Sequence, residues 1–279
     1  YANSVTLQIG STIDGNLNVG TNAGSTLTLT DNGNGGIQLY SSAVTGTTTF
    51  AGVLIKNGAG TWNLDQAMSY SGGTNVNAGT LLVNNSSGTG TGAVAVNSNA
   101  TLGGTGTING PVTVNNTGTL SPGNSPGILH LGSSLTLNNA SNLKIEVGGA
   151  NPGTGYDQVQ IADTGLGALT LNTPNLNVSL VNGFTPTFME KFYILDLTGL
   201  GTVTGVFGNA VGGTAYTDTS GNNWLITYND TFDSTPGNDV SLTFFGMTPI
   251  PEPSTWIAGA LVCAALAYRS LRKCRAHLR

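Results

Sequence analysis

Short apolar packets alternate with polar residues along almost the whole chain. They read VTLQI at 5–9, NLNV at 16–19, TLTLT at 26–30, IQLY at 37–40, VLI at 53–55 and TWNL at 61–64. The series continues with TLLV at 80–83, AVAV at 93–96, VTV at 112–114, ILHL at 128–131, LTL at 135–137 and LKIEV at 143–147. Successive side chains of a strand point to opposite faces, so this period of two predicts half-buried strands. Between the packets lie clusters such as DNGNGG at 31–36 and SSGTGTG at 86–92, whose residues tolerate the positive φ of tight turns. No stretch before residue 250 carries a helical period. The body is expected to be all-β.

The packets are short and their corners are rich in Gly, Asn, Ser and Thr, while aromatic residues make up 7% of the chain. That texture favours a parallel β-solenoid over a sandwich, with about 20 residues per coil and coils stacked at about 4.8 Å. From 148 to 246 the packets lengthen: YDQVQI at 156–161, LNVSL at 176–180, KFYILDL at 191–197, NWLITY at 223–228 and DVSLTFF at 239–245. A solenoid must close its last rung, and Phe192, Tyr193, Trp224 and Phe244 suit such a cap. A separate small β-domain is the alternative. The expected organisation is solenoid repeats over 1–147, a β-rich cap or small domain over 148–246, and a distinct C-terminal segment over 247–279.

Composition changes this picture little. Gly is 42 of 279 residues and only 8% are charged, which by itself leans towards disorder, but 38% are hydrophobic and regularly spaced. Charge is more informative. With Lys56, Lys144 and Lys191 against 13 carboxylates, residues 1–268 carry −10, while the last eleven positions hold five basic residues. Such a body repels phosphate backbones, which argues against nucleic acid as a partner. The cysteines, Cys263 and Cys274, both fall in the C-terminal segment and neither reads as half of a structural bridge; lipidation is a minor alternative. The chain opens on Tyr1 without a basic and apolar leader, so an exported form is expected to have lost its signal peptide or to be a fragment.

The C-terminal segment has three parts in order. Pro251, Glu252 and Pro253 sit in a proline-rich, extended linker. An apolar run follows: Trp256, Ile257, Ala258, Gly259, Ala260, Leu261, Val262, Cys263, Ala264, Ala265, Leu266, Ala267 and Tyr268. Basic Arg269, Arg272, Lys273 and Arg275 come next, with Arg279 at the end. As a helix the run spans about 20 Å, short of the roughly 30 Å hydrocarbon core unless flanking residues contribute and the arginines snorkel. The positive-inside rule puts the basic end in the cytoplasm and the acidic body across the membrane. A plain tail anchor explains the helix and its charges but not the proline-flanked glutamate. The whole order resembles the PEP-CTERM sorting signal. That resemblance implies a membrane-embedded exosortase as partner, and transit through the inner membrane towards the cell surface or medium.

Upstream, GAGTWNLDQAMSYSGGTNVNAGTLLVNN at 58–85 and GAVAVNSNATLGGTGTINGPVTVNNTGTLSPGNSPGILHLG at 92–132 resemble the autotransporter-associated β-strand repeat. The resemblance implies a right-handed parallel β-helix in secreted, passenger-type proteins. No outer-membrane translocator barrel is legible at the C-terminus, so the chain is not expected to be an autotransporter itself.

Candidate chemistry is sparse. His130 lies in ILHL, where a solvent-facing strand residue is the simplest reading, and the body holds no second His or Cys to build a nucleophile–base pair or zinc site. Asp230, Asp233 and Asp239, in NDTFDSTPGND at 229–239, are the nearest thing to a calcium or hydrolytic cluster, though solvated loop carboxylates are the default. Gly104-Thr105-Gly106 reads as a β-corner, because no helix follows to complete a phosphate loop. No cofactor, metal or catalytic residue is expected. The expectation is a non-enzymatic structural or adhesive surface protein with extracellular polysaccharide or other surface proteins as partners. The alternatives are a secreted carbohydrate-active β-helix and a carbohydrate-binding module over 148–246 that uses Trp224.

Overall fold

Alternation of inward and outward side chains is realised here on three stacked sheets whose coil strands run parallel. The structure, a computed structural model, describes residues 4–7, 26–29, 38–39 and 48–50, then 53–247 except 66–67, 86–88, 163–167, 214 and 233–236. Among the described residues no helix occurs.

The first sheet stacks Ser4–Leu7, Thr26–Leu29, Val53–Lys56, Thr74–Val76, Val94–Val96, Val112–Val114, Leu135–Leu137, Leu169–Asn172 and Val203–Val206, in that order. The second stacks Gln38–Leu39, Thr61–Leu64, Gly79–Val83, Ala100–Gly104, Thr119–Pro122, Asn142–Val147 and Asn175–Leu180. The third runs through Thr107–Ile108, Ile128–Leu131, Gln158–Ile161 and Lys191–Leu197. Each coil from Val94 onward thus lays one strand on every face, and the consecutive pairings are parallel. This is the stacked, parallel architecture of a β-helix. Most packets read from the sequence are strands. Thr74–Val76, Ala100–Gly104 and Thr119–Pro122 were not among those packets, because Thr, Gly and Asn dilute their apolar signal, and Leu169–Asn172 was not among them although it repeats the LTL of 135–137. The packet at 16–19 lies outside the described residues.

The register aligns like with like. Trp62, Leu81, Leu102, Leu120, Leu143 and Leu176 form one inward column, each paired with the next rung. Val76, Val96, Val114, Leu137 and Leu171 form another. All are buried, each worth roughly 1.5–3 kcal/mol for an aliphatic side chain. Lys56 takes the inward place in register with Val76 and is fully buried. Its ammonium donates to the carbonyls of Asn57, Gly58 and Ala78 at 2.9, 2.8 and 3.0 Å, which offsets the desolvation of the charge. Corners stack just as closely. A Cβ on Gly110 would stand 2.0 Å from the Gly92 carbonyl, and one on Gly92 2.2 Å from Gly73 N, so only glycine fits that column.

Beyond Val206 the winding stops and the chain folds back. Lys191–Leu197 pairs antiparallel with Asp239–Met247, which neighbours Asn222–Asp230, itself antiparallel to Ala215–Thr217. Phe192, Trp224 and Phe244 are buried together, with ring centroids 6.0 Å apart for Phe192–Trp224 and 5.1 Å for Trp224–Phe244. Tyr156 and Phe184 pack edge-on against Phe192. Tyr193 is half-buried and lies against Phe232 instead. The coils and this end belong to one unit, Tyr1–Gly246. Pro251, Glu252 and Pro253, the apolar run 256–268 and the basic cluster after it lie outside the described residues.

Candidate functional site

Two polar constructions stand out on the solenoid, a ladder and a groove. The ladder follows the first sheet. Asn97, Asn115 and Asn138 come directly after an apolar-x-apolar strand, Asn77 after Thr74–Val76, Asn57 after the strand that ends in buried Lys56, and Asn172 ends its own strand. From Asn77 onward each Nδ2 donates to the Oδ1 of the preceding rung, at 2.9, 2.7, 3.0, 3.1 and 3.1 Å in order. The amide has one acceptor and one donor group on opposite sides, so a single residue type can propagate such a chain indefinitely. The sequence reading missed it. The recurring apolar-x-apolar-Asn pattern was the available signal.

The groove lies on the outer side of the second sheet and has a volume of about 550 Å³. Its floor is made by outward positions of three neighbouring strands: Thr119 and Ser121, then Asn142, Lys144 and Glu146, then Asn177 and Ser179. Lys144 and Glu146 share one face of LKIEV because the inward places go to Leu143, Ile145 and Val147. Tyr216 and Thr219, from the hairpin 215–230, form its lip.

That lip is held firmly. The Asp218 carboxylate accepts from the backbone N–H of Ser220 and Asn222, from Asn222 Nδ2 and from Trp224 Nε1 at 3.0 Å. Trp224 is fully buried, so the aromatic cluster anchors the lip through Asp218. The Tyr216 hydroxyl donates to the Leu176 carbonyl at 2.9 Å. Asn209 both accepts from Leu176 N–H and donates to its carbonyl, at 2.8 Å each. These side chains occupy hydrogen-bonding groups on the last strand of the second sheet, an edge that would otherwise invite another strand.

Behind the floor sits Asp157, 1% exposed. Its Oδ1 accepts from Gly127 N–H at 2.8 Å and its Oδ2 from Glu146 N–H at 2.9 Å. Burial pushes the Asp157 carboxyl up to about 7, against those two opposing hydrogen bonds. A Cβ on Gly123 would come within 2.5 Å of Asp157 Oδ1, which is why the SPGNSPG turn keeps a glycine there. Glu146 itself receives the Ser125 hydroxyl on Oε2 at 2.5 Å.

The residues singled out from the sequence fare differently. His130 is half-buried on the outer side of its strand, between Thr107 and Gln160. Trp224, considered as a platform for sugars, has no exposed surface; this corrects that reading, since its ring is needed in the core. Asp230 is tied to Lys191 at 2.8 Å and to the Ser241 hydroxyl. Burial raises the Asp230 carboxyl, but the Lys191 ammonium and the Ser241 and Thr231 donors outweigh it and hold it below the ordinary carboxylate range. Asp239 is buried and accepts from Leu197 and Phe232 N–H, and Asp233 lies outside the described residues. Asp230 and Asp239 therefore serve the fold separately. Among the described residues no three His, Cys, Asp or Glu side chains gather as a metal site. Gly104, at φ 107°, is a β-corner against Val83.

Fold and surface together define an all-β protein of stacked parallel sheets, as in a β-solenoid. Residues 54–83 match the family model of the passenger-associated-transport-repeat, which supports the autotransporter-associated repeat read at this part of the chain. Among curated proteins none matches the sequence. The matched repeat and the β-rich fold fit a surface-exposed β-helix passenger.

Proposed function

We propose that the protein is an exported, surface-displayed structural or adhesive β-helix with a C-terminal exosortase-type sorting signal. The observation that carries this reading is the passenger repeat at 54–83 embedded in one continuous stack of parallel coils. Export and display suit such a stack, because each rung templates the next and stability needs neither disulfide nor metal. The coils wind right-handed, as parallel crossovers do. Pro251-Glu252-Pro253, the apolar run and the basic terminus supply the sorting signal, and the exosortase is its partner in the inner membrane.

The role is non-catalytic. The groove carries one carboxylate, Glu146, and the adjacent Asp157 has both oxygens engaged by backbone N–H groups. A hydrolase would need two carboxylates facing one bond. Carbohydrate binding without turnover is a second reading, favoured by the polar groove.

Intact mass of the protein recovered from the host envelope and medium tests the sorting reading. The expected product lacks the residues that follow the Pro251-Glu252-Pro253 motif, and protease added to whole cells digests it. A full-length, detergent-extracted species would mean a permanent anchor, and the exosortase assignment would fall.

A further inference from the structure

Among the described residues three lysines are present, and their fates differ. Lys56 is sealed inside on backbone carbonyls, and Lys191 is paired with Asp230. Lys144 is exposed, has no hydrogen-bonding or ionic partner, and stands in the groove. On a body that carries −10 over residues 1–268, this unengaged cation is an asymmetry that a ligand can use.

We infer that the groove binds a polysaccharide bearing carboxylates, with the Lys144 ammonium holding a carboxylate and the neighbouring side chains holding sugar hydroxyls. This rests on the surface-display reading above and names the ligand class of its groove. Ser121, Asn142, Asn177 and Ser179 surround Lys144 with hydroxyls and amides, which both donate and accept as a sugar hydroxyl does. Glu146 adds an acceptor two residues along the same strand face. The hairpin lip is fixed in advance by Asp218, so little ordering cost falls on binding.

Other ligand classes fit poorly. A β-strand peptide needs a free edge, but the Leu176 N–H and carbonyl on the last strand of the second sheet are taken by Asn209 and Tyr216. A helical peptide needs an apolar trough, and the floor here is polar. Nucleic acid needs several cations along a track. A single uronate residue seated in the groove presents one carboxylate to Lys144 and its hydroxyls to the neighbouring side chains, so one cation suffices there. Remote carboxylates of the body weigh little at physiological salt, where the screening length is about 8 Å, while a direct contact with Lys144 is screened far less.

Isothermal titration calorimetry of the whole chain with soluble polygalacturonate, and with dextran as the uncharged comparator, tests this. Polygalacturonate should bind and dextran should not. Lys144→Gln should weaken binding roughly three- to fivefold, as expected for one partly exposed ion pair. Ser179→Trp should block the groove and abolish binding. Lys191→Gln, a cation outside the groove, should bind as the parent does. Silence with polygalacturonate, equal binding of dextran, or an unchanged Lys144→Gln variant would overturn the inference. Display on cells with silent calorimetry would sink this inference alone; groove binding by a protein that never leaves the cytoplasm would sink the display reading alone.

Discussion

From Asn57 to Asn138 successive coils advance the ladder by 20, 20, 18 and 23 residues, whereas the next step, to Asn172, takes 34. The short coils are filled by Val, Leu and Ile, with Trp62 as the large side chain of that stretch. The long coils and the fold-back after Val206 bring in Tyr156, Phe192, Phe207, Tyr216, Trp224 and Phe244. Both regions share one Asn ladder and the same register on the first sheet. The difference lies in what closes them. An inner rung is covered by its neighbours, so small branched side chains suffice. Among the described residues no further rung follows Val203–Val206, and wider loops leave more volume to fill, so rings and side chains such as Asn209 cover that end.

The largest expected effect comes from removing the anchor of the closed end. Trp224→Ala should cost about 3–5 kcal/mol, from lost burial and cavity. Hydrogen exchange should then show lost protection in the long coils while strands around Val96 and Val114 stay protected, since rungs depend mainly on neighbours. Uniform loss would mean that the two regions unfold as one.

Asp157 sits where the coils begin to lengthen, and its carboxyl is raised to about 7. The folded protein therefore holds that proton more tightly than the unfolded chain. Its contribution is fullest in acid and is lost as pH rises from about 4 to about 7, by at most about 1.4 kcal/mol per pH unit. Asp157→Asn should flatten that part of the stability profile in urea titrations; an unchanged slope would assign the pH dependence elsewhere.

Smallest is the ladder. Asn97→Ala removes one bond given and one received and should cost about 1 kcal/mol, because the row is partly solvated. Asn172→Ala, at the last rung, removes one bond and should cost about half as much. Equal thermal midpoints for the two variants would show that the ladder is not a chain of additive links.

Much of this was readable in advance. Packets such as TWNL, VTV, ILHL and LTL are strands at the places where alternation put them, and a coil of about 20 residues describes the region from 53 to 137. The ring residues Phe192, Trp224 and Phe244 do pack together at the end of the winding. The groove was not readable. Lys144 and Glu146 looked like ordinary outward residues of LKIEV until a hairpin from residues 215–230 came to overhang them. Trp224 read both as a cap residue and, in one alternative, as a sugar platform, because an aromatic ring in a strand looks alike whether it meets sugar or core; its full burial leaves the core role.

Local chemistry explains the division. Which residues face inward follows from the two-residue period of a strand, a property of the chain's own backbone, so the sequence by itself determined the all-β solenoid, its alternating core and its glycine corners. Which residues meet across rungs depends on how many residues each corner loop consumes. Coil lengths that vary from 18 to 34 residues carry no periodic mark that assigns Asn209 and Tyr216 to Leu176, or Asp157 to Gly127 and Glu146. Those long-range contacts, and with them the lip, the groove and the solitary lysine inside it, were decided only by the tertiary structure.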